Sequence, residues 1–282
     1  MSDIKQYIRP FHLLPDAPNN ELALAGAIGA TVSNPMTVTQ EGPFEGFSFQ
    51  CMSDAFTALG DHRCTVMIID NGSRKQFMNR PVHLNTISGT PHFPALFEEH
   101  IYLDENRSLR IEFQNLFAVA NNIRPCIAGR RYYPTSAASA AMNKATAKAQ
   151  YRAEVCAPYF LTTEEDQTAI AVGGQNSAFF LTDPDAYFDV YSLNAVAYDD
   201  ATGLLTGTFD FELYDATSGR RLVNGQVGLS NQLAAGNGLQ PYKLPESWVL
   251  EPRQRIEMVF TNTLPANNIS VYFTLVGKKI YV

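Results

Sequence analysis

The same closing phrase occurs twice in this chain. Gly129 opens "GRRYY" and Gly277 opens "GKKIYV", a glycine followed in both by two basic residues and an aromatic or apolar end. Their separation is 277 − 129 = 148 residues. Stepping back along both copies, "LRIEFQN" (109–115) lies opposite "IEMVFTN" (256–262), and Leu103 lies opposite Leu250 at 250 − 103 = 147. "RKQFMNRPVHL" faces "GRRLVNGQVGL", with Asn79 opposite Asn224 at 224 − 79 = 145, and Pro10 is opposite Pro158 at 148. Register that drifts by a few residues is what loop insertions produce, since loops tolerate length change better than strands do. Five ordered matches at nearly constant offset mark residues 7–133 and 155–282 as two copies of one module, and a tandem repeat must be found before fold reasoning begins.

Each copy reads as β structure. In "GTFDFELYD", Phe209, Phe211 and Leu213 alternate with Asp210 and Glu212, the period of two that puts apolar groups on one face of a half-buried strand. "SLRIEFQ" repeats the pattern with Leu109, Ile111 and Phe113, and "GFSFQCM" with Phe47, Phe49 and Cys51. "DNGS" (70–73) reads as a tight hairpin turn, because Asn-Gly accepts positive φ. "DATSGR" stands in its place in the second copy and reads as a slightly longer loop ending on Gly219. "LDENRSL" and "LEPRQRI" occupy one turn in the two copies. About eight strands fit each copy at ordinary strand and loop lengths. The expected fold is all-β, with two tandem antiparallel β-sandwich domains of jelly-roll type, preferred over an immunoglobulin-like sandwich.

Between the copies the composition changes. "PTSAASAAMNKATAKAQYRAE" (134–154) is dominated by alanine, which loses least on entering a helix, and Ser136 or Ser139 suits its start as a cap. The expected division is a first domain over 1–133, a helical linker over 134–154 and a second domain over 155–282. Arg130, Arg131, Lys144, Lys148 and Arg152 make this region locally basic, either a solvated helix face or a docking surface for an acidic neighbour. The whole chain of 282 residues carries a net charge of -7, against the basic footprint of a nucleic-acid binder. No apolar run reaches bilayer length, and the first residues lack the basic start and apolar core of a signal peptide. Cys51, Cys64, Cys126 and Cys156 form no CxxC pair, and three of them sit in apolar runs as buried thiols, as expected of a reducing compartment.

Chemistry-bearing motifs are sparse. There is no GxSxG, HExxH, Walker A or GxGxxG sequence. "AVGGQNS" (171–177) follows one strand-like run and precedes another, whereas a phosphate-cradling loop opens a helix. "HFPALFEEH" offers His92, Glu98, Glu99 and His100, the donor types of a facial triad, yet the second copy repeats only Glu246 opposite Glu98. His62 and Cys64 in "DHRC" share a strand face as a nucleophile–base pair would. Asp183, Asp185 and Asp189 in "TDPDAYFD" are calcium-type ligands without EF-hand spacing. Tyr132, Tyr133, Tyr242 and Trp248 are the aromatic candidates for a sugar site, although Trp248 heads a strand and suits a core. In each case a structural role is the expectation, so no catalytic, cofactor-binding or metal site is assigned.

The closing stretch "PYKLPESWVLEPRQRIEMVFTNTLPANNISVYFTLVGKKIY" resembles the ends of tailed-bacteriophage virion proteins built from jelly-roll or β-sandwich domains. An apolar strand, an Asn-containing turn and a final leucine-x-glycine-basic-basic-aromatic strand carry the likeness over the last ~40 residues of each copy. The first copy departs from it at Pro125 in "RPCIAG", which suggests an edge strand or a bulge there. The resemblance implies a non-enzymatic structural protein of the virion, assembled in the host cytoplasm. Such a protein decorates or cements the capsid or belongs to the head–tail collar. Its implied partners are other virion proteins (major capsid or neck) and further copies of itself, with no membrane, nucleic acid or cofactor. The alternatives are a small double jelly-roll major capsid protein and a glycan- or receptor-binding adhesin, the latter predicting exposed aromatic patches at loop tips. An enzyme would instead need a deep pocket of perturbed titrating groups.

Overall fold

The computed structural model describes residues 7–55, 62–89, 95–133, 156–206, 209–223, 227–228, 234–235 and 243–281. The expected linker helix over 134–154 lies outside them. The first copy contains β1 (Tyr7–Leu13), β2 (Leu22–Leu24), β3 (Thr31–Thr37), β4 (Phe44–Ser53), β5 (Cys64–Asp70), β6 (Val82–His83), β7 (Ala95–Leu103), β8 (Ser108–Asn115) and β9 (Asn121–Tyr133). The second contains β10 (Cys156–Thr162), β11 (Gln167–Ile170), β12 (Gln175–Leu181), β13 (Ala186–Asp199), β14 (Leu205–Thr206), β15 (Phe209–Asp215), β16 (Arg220–Arg221), β17 (Val227–Gly228), β18 (Ala234–Ala235), β19 (Lys243–Leu250), β20 (Arg255–Asn262) and β21 (Ile269–Tyr281).

In the first copy one sheet runs β1-β9-β4-β7, with β2 also on β9, and the other runs β3-β8-β5-β6. Leaving out the short β2, the first strand pairs the last, the second the seventh, the third the sixth and the fourth the fifth, all antiparallel. This is one long hairpin rolled into two facing sheets, the jelly roll. The second copy repeats it: β10-β21-β13 continues onto β19, with β11 on β21, and β12-β20-β15 carries β16 and β17. Both copies bulge at the same place. Register slips between Gly46 and Ser48 in β4 and between Val190 and Ser192 in β13, so that Phe47 and Tyr191 are the extra residues. The chain is all-β and folds as two β-sandwiches.

Alternation fills the cores as the sequence pattern requires. Leu109, Ile111 and Phe113 from β8 join Phe44, Phe49 and Ile127 in the first core. Phe209, Phe211, Ile256, Met258, Phe260 and Phe273 make the second. Burying each such side chain stabilises by about 1.5–3 kcal/mol. Trp248 packs half-buried against the second core.

Two expectations, one of a turn and one of a strand edge, are corrected. The Asp70 and Asp215 turns have the same length and the same bonds. Asp70 Oδ1 accepts from the Gly72 N–H at 2.8 Å, and Asp215 Oδ1 from the Thr217 N–H at 2.9 Å. The Asp70 carbonyl accepts from Arg74 and the Asp215 carbonyl from Gly219, both at 2.7 Å. Positive φ falls on Arg74 (58°) and Gly219 (67°), so the left-handed residue is the one after the serine and the Asn-Gly pair is not a two-residue hairpin turn. A Cβ at Gly72 would meet only the flexible end of the Arg107 side chain, at 1.5 Å from its guanidinium. The other shared turn matches as expected, with Asn106 at φ 61° and Arg253 at φ 60°. Pro125 is the second correction, since β9 lies inside its sheet between β1 and β4. Its β1 partners stop at Ile127 and its β2 partners begin at Ile123, and the proline sits in that break, where a ladder loses least.

Candidate functional site: closing-strand corners and the seam

The closing "glycine-basic-basic" motif builds the same corner in both copies. Gly129 crosses the β4 bulge and Gly277 the β13 bulge. A Cβ at Gly129 would lie 1.9 Å from the Glu45 carbonyl oxygen, and at Gly277 2.0 Å from that of Asp189. The basic residues that follow are held by acids. Glu45, 2% exposed, accepts from Arg130 Nε at 2.5 Å, from the Tyr132 hydroxyl, and pairs with His100 Nδ1 at 2.8 Å. The Arg131 guanidinium, 1% exposed, donates to the Gly42 and Thr39 carbonyls and pairs with Glu41 at 3.0 Å. In the second copy Lys279 takes the place of Arg131, pairs with Asp183 and lies 3.8 Å from the Tyr159 ring centre. Lys278, in the place of Arg130, reaches across to Glu99 of the first copy at 3.1 Å.

That ion pair belongs to a seam between the copies. The outer face of β10, β21 and β13 is covered by residues 77–88 of the first copy. Phe160 donates its N–H to the Phe77 carbonyl at 2.8 Å and is buried in the first copy's core, its ring 6.1 Å from that of Phe97. The Asn79 carboxamide clamps Thr162, with Nδ2 donating to its carbonyl and Oδ1 accepting from its N–H, both at 2.9 Å. Deeper in, Thr86 and Thr274 share a hydroxyl bond at 2.6 Å, Asn194 Nδ2 donates to the Thr86 carbonyl at 2.6 Å, and Asn85 Nδ2 donates to the Tyr198 hydroxyl at 3.1 Å. Arg80 donates to the Thr163 and Glu164 carbonyls and pairs with Asp166 at 3.0 Å. Buried, hydrogen-bonded polar groups fix one docking geometry, because any other leaves them unsatisfied.

His83 lies in this seam between the Tyr272 and Tyr198 rings, at 4.6 and 5.4 Å. Burial, and then the nearby His62, push its imidazole down to about 3, and burial pushes His62 down to about 4. Both are neutral at ordinary pH.

The structure disperses the other candidates. His100 faces Glu45 and Glu99 faces Lys278, while His92 and the Glu98 side chain lie outside the described residues. Cys64 is fully buried and His62 nearly so, which leaves a substrate no access. Asp183 serves Lys279, Asp189 is buried beside the bulge, and among the described residues no three His, Cys, Asp or Glu side chains gather as a metal site. Tyr132 and Tyr133 stack under Arg130 and Arg131; Tyr242 lies outside the described residues. "AVGGQNS" turns from β11 into β12 with Gly173 at φ 65°. Of the basic cluster, Arg130 and Arg131 are neutralised by Glu45 and Glu41, and Lys144, Lys148 and Arg152 lie outside the described residues. Among the described residues no helix is long and apolar enough to cross a membrane.

Sequence reasoning missed the seam. Its one available signal was the Asn79/Asn224 match, which marks register and also names the clamp.

No protein-family model matches the chain, and no curated protein matches it in sequence. Among solved structures it is similar to the CUB1-EGF-CUB2 domains of rat MASP-1, at 8% identity and a TM-score of 0.21 over 95% of this chain and 96% of that one. It is also similar to a chain of infectious bursal disease virus, Gx strain, at 9% identity and a TM-score of 0.23 over 98% of this chain and 70% of that one. At these TM-scores neither likeness bears on fold or function.

Proposed function

We propose that this chain is a non-enzymatic structural component of a tailed-phage particle, coating or cementing the capsid or forming part of the head–tail collar. Its working division is a jelly roll over 1–133, a connecting segment over 134–154 and a second jelly roll over 155–282. The observation that carries the reading is the docking of two jelly rolls into one body through a buried polar seam, with the closing-strand basic residues used to hold each roll's corner. Jelly rolls recur in viral shells, where flat sheet faces and exposed strand edges serve as contact surfaces repeated by symmetry. Lectins share the fold, but the tyrosines proposed for a sugar site that can be placed, Tyr132 and Tyr133, stack under arginines.

The test is to purify particles from infected cells through a density gradient and quantify this chain by mass spectrometry and immunogold labelling. Co-purification at a fixed copy number with labelled shells or collars is the expected result. Its absence from purified particles, or release by a mild salt wash with no labelled feature, overturns the proposal.

A further inference from the structure

The seam joins two unlike halves, and each copy carries a counterpart of both. The first copy contributes the Phe77–Asn79 segment; the second contributes the edge of β10. Register gives the counterparts: 160 − 148 = 12 on β1 and 162 − 148 = 14 just past its end, and 77 + 145 = 222 and 79 + 145 = 224 after the Asp215 turn. Leu222 occupies the place of Phe77, its N–H donating to Leu213 at 2.8 Å as that of Phe77 donates to Ile68 at 3.1 Å. Asn224, outside the described residues, repeats Asn79 in sequence.

Among the described residues both counterparts stay open. Leu222 is 40% exposed where Phe77 is 9%, and Met52 is 50% exposed where its counterpart Val196 (196 − 144 = 52) is fully buried. His12 is exposed where Phe160 is buried. β1 ends its sheet as β10 does, but among the described residues only β10 is bridged on its outer side, through Phe160 to Met78. Ile8, Leu14, Met52 and Leu96, all exposed large hydrophobics, lie on this one sheet face or along its β1 edge. A free edge beside an apolar face is a template for another strand.

We propose that the β1 edge and the adjoining face dock the Leu222 segment of a second copy of this chain, repeating between chains the contact made within each. The proposal rests on reading the chain as an assembly component and adds the surface and the partner. Because the halves differ, the contact is head-to-tail, so every added chain again leaves one edge and one segment open until a ring closes. In sequence register Gly225 is the counterpart of Arg80 (80 + 145 = 225) and has no side chain to donate, so the contact between chains lacks the bonds that Arg80 makes to Thr163, Glu164 and Asp166.

Two charge substitutions test it on the full chain by sedimentation and native mass spectrometry. Wild type is expected to form oligomers of its 31.2 kDa chain at micromolar concentration. Leu14→Asp and Leu222→Asp each weaken this at least tenfold, whereas Ile28→Asp, at another exposed apolar site, leaves it unchanged. Mixing the two variants restores a dimer and nothing larger, since each retains the half that the other has lost. A benzophenone amino acid at position 14, in an otherwise native chain, is expected to crosslink to residues 220–228 of a different chain. Overturning results are a wild type that stays monomeric, oligomers that both variants leave intact, or a crosslink from position 14 into its own chain. None of these bears on whether the chain is found in particles, so this proposal and the one before it fail separately.

Discussion

Two asparagines show how much the copies share at the residue scale. Asn115 Nδ2 donates to the Ala25 and Val119 carbonyls while Oδ1 accepts from the Phe117 N–H. Asn262 makes the same three bonds with Ile170, Asn267 and Leu264. Both side chains are buried, so Asn115→Ala or Asn262→Ala strands backbone groups and costs about 3 kcal/mol, read as a lower urea midpoint at unchanged slope. Gly129→Ala and Gly277→Ala push a methyl into a bulge carbonyl, and each is expected to destabilise by about 3 kcal/mol or more. A melting temperature within a few degrees of wild type for either would contradict the corner geometry. The sequence made these glycines and asparagines visible as repeats, but not their purpose. "FQN" and "FTN" look like strand ends, and only the fold brings distant carbonyls to them.

At the scale of elements, strand alternation in β8, β15 and β20 was legible because one face of each is core. The turn after β5 was misread because Asn-Gly is a local signal, and the Asp70 side chain set a different turn. The seam was not legible beyond the Asn79/Asn224 match. What residues 77–88 cover comes from the other copy, 83 to 188 residues along the chain, so no local pattern marks them as an interface. His83 in this segment and His62 beside it carry a pH dependence. His62 and His83 gain a proton near pH 6.5 when unfolded, but only at about 4 and 3 when folded. The unfolded state therefore binds more protons between those values, and stability falls as pH drops through the window. Each histidine contributes about 1.4 kcal/mol per pH unit. Urea midpoints should drop from pH 7 to pH 5, above the carboxylate range, and His83→Gln should roughly halve that drop. An unchanged midpoint would show the histidines to be solvated.

For the whole molecule the two jelly rolls are expected to unfold as one cooperative body. Phe160 is buried in the other copy's core, and the Asn79 clamp crosses the seam. Calorimetry of wild type should show one transition, and Asn79→Ala together with Arg80→Ala should separate it into two. Two transitions already in wild type would mean that the seam is not formed. That one sandwich was doubled could be read from five ordered matches, but how the twins meet could not, because duplication fixes each fold and not the contact between them. In the proposed assembly the same contact, left half-made at β1 and Leu222, is what joins one chain to the next. The most direct measurement is a cryo-electron-microscopy map of intact particles with this chain located. Paired jelly rolls in the shell or collar, with the β1 edge of each chain meeting a neighbour, are the expected result. Particles in which no density fits the chain would contradict it.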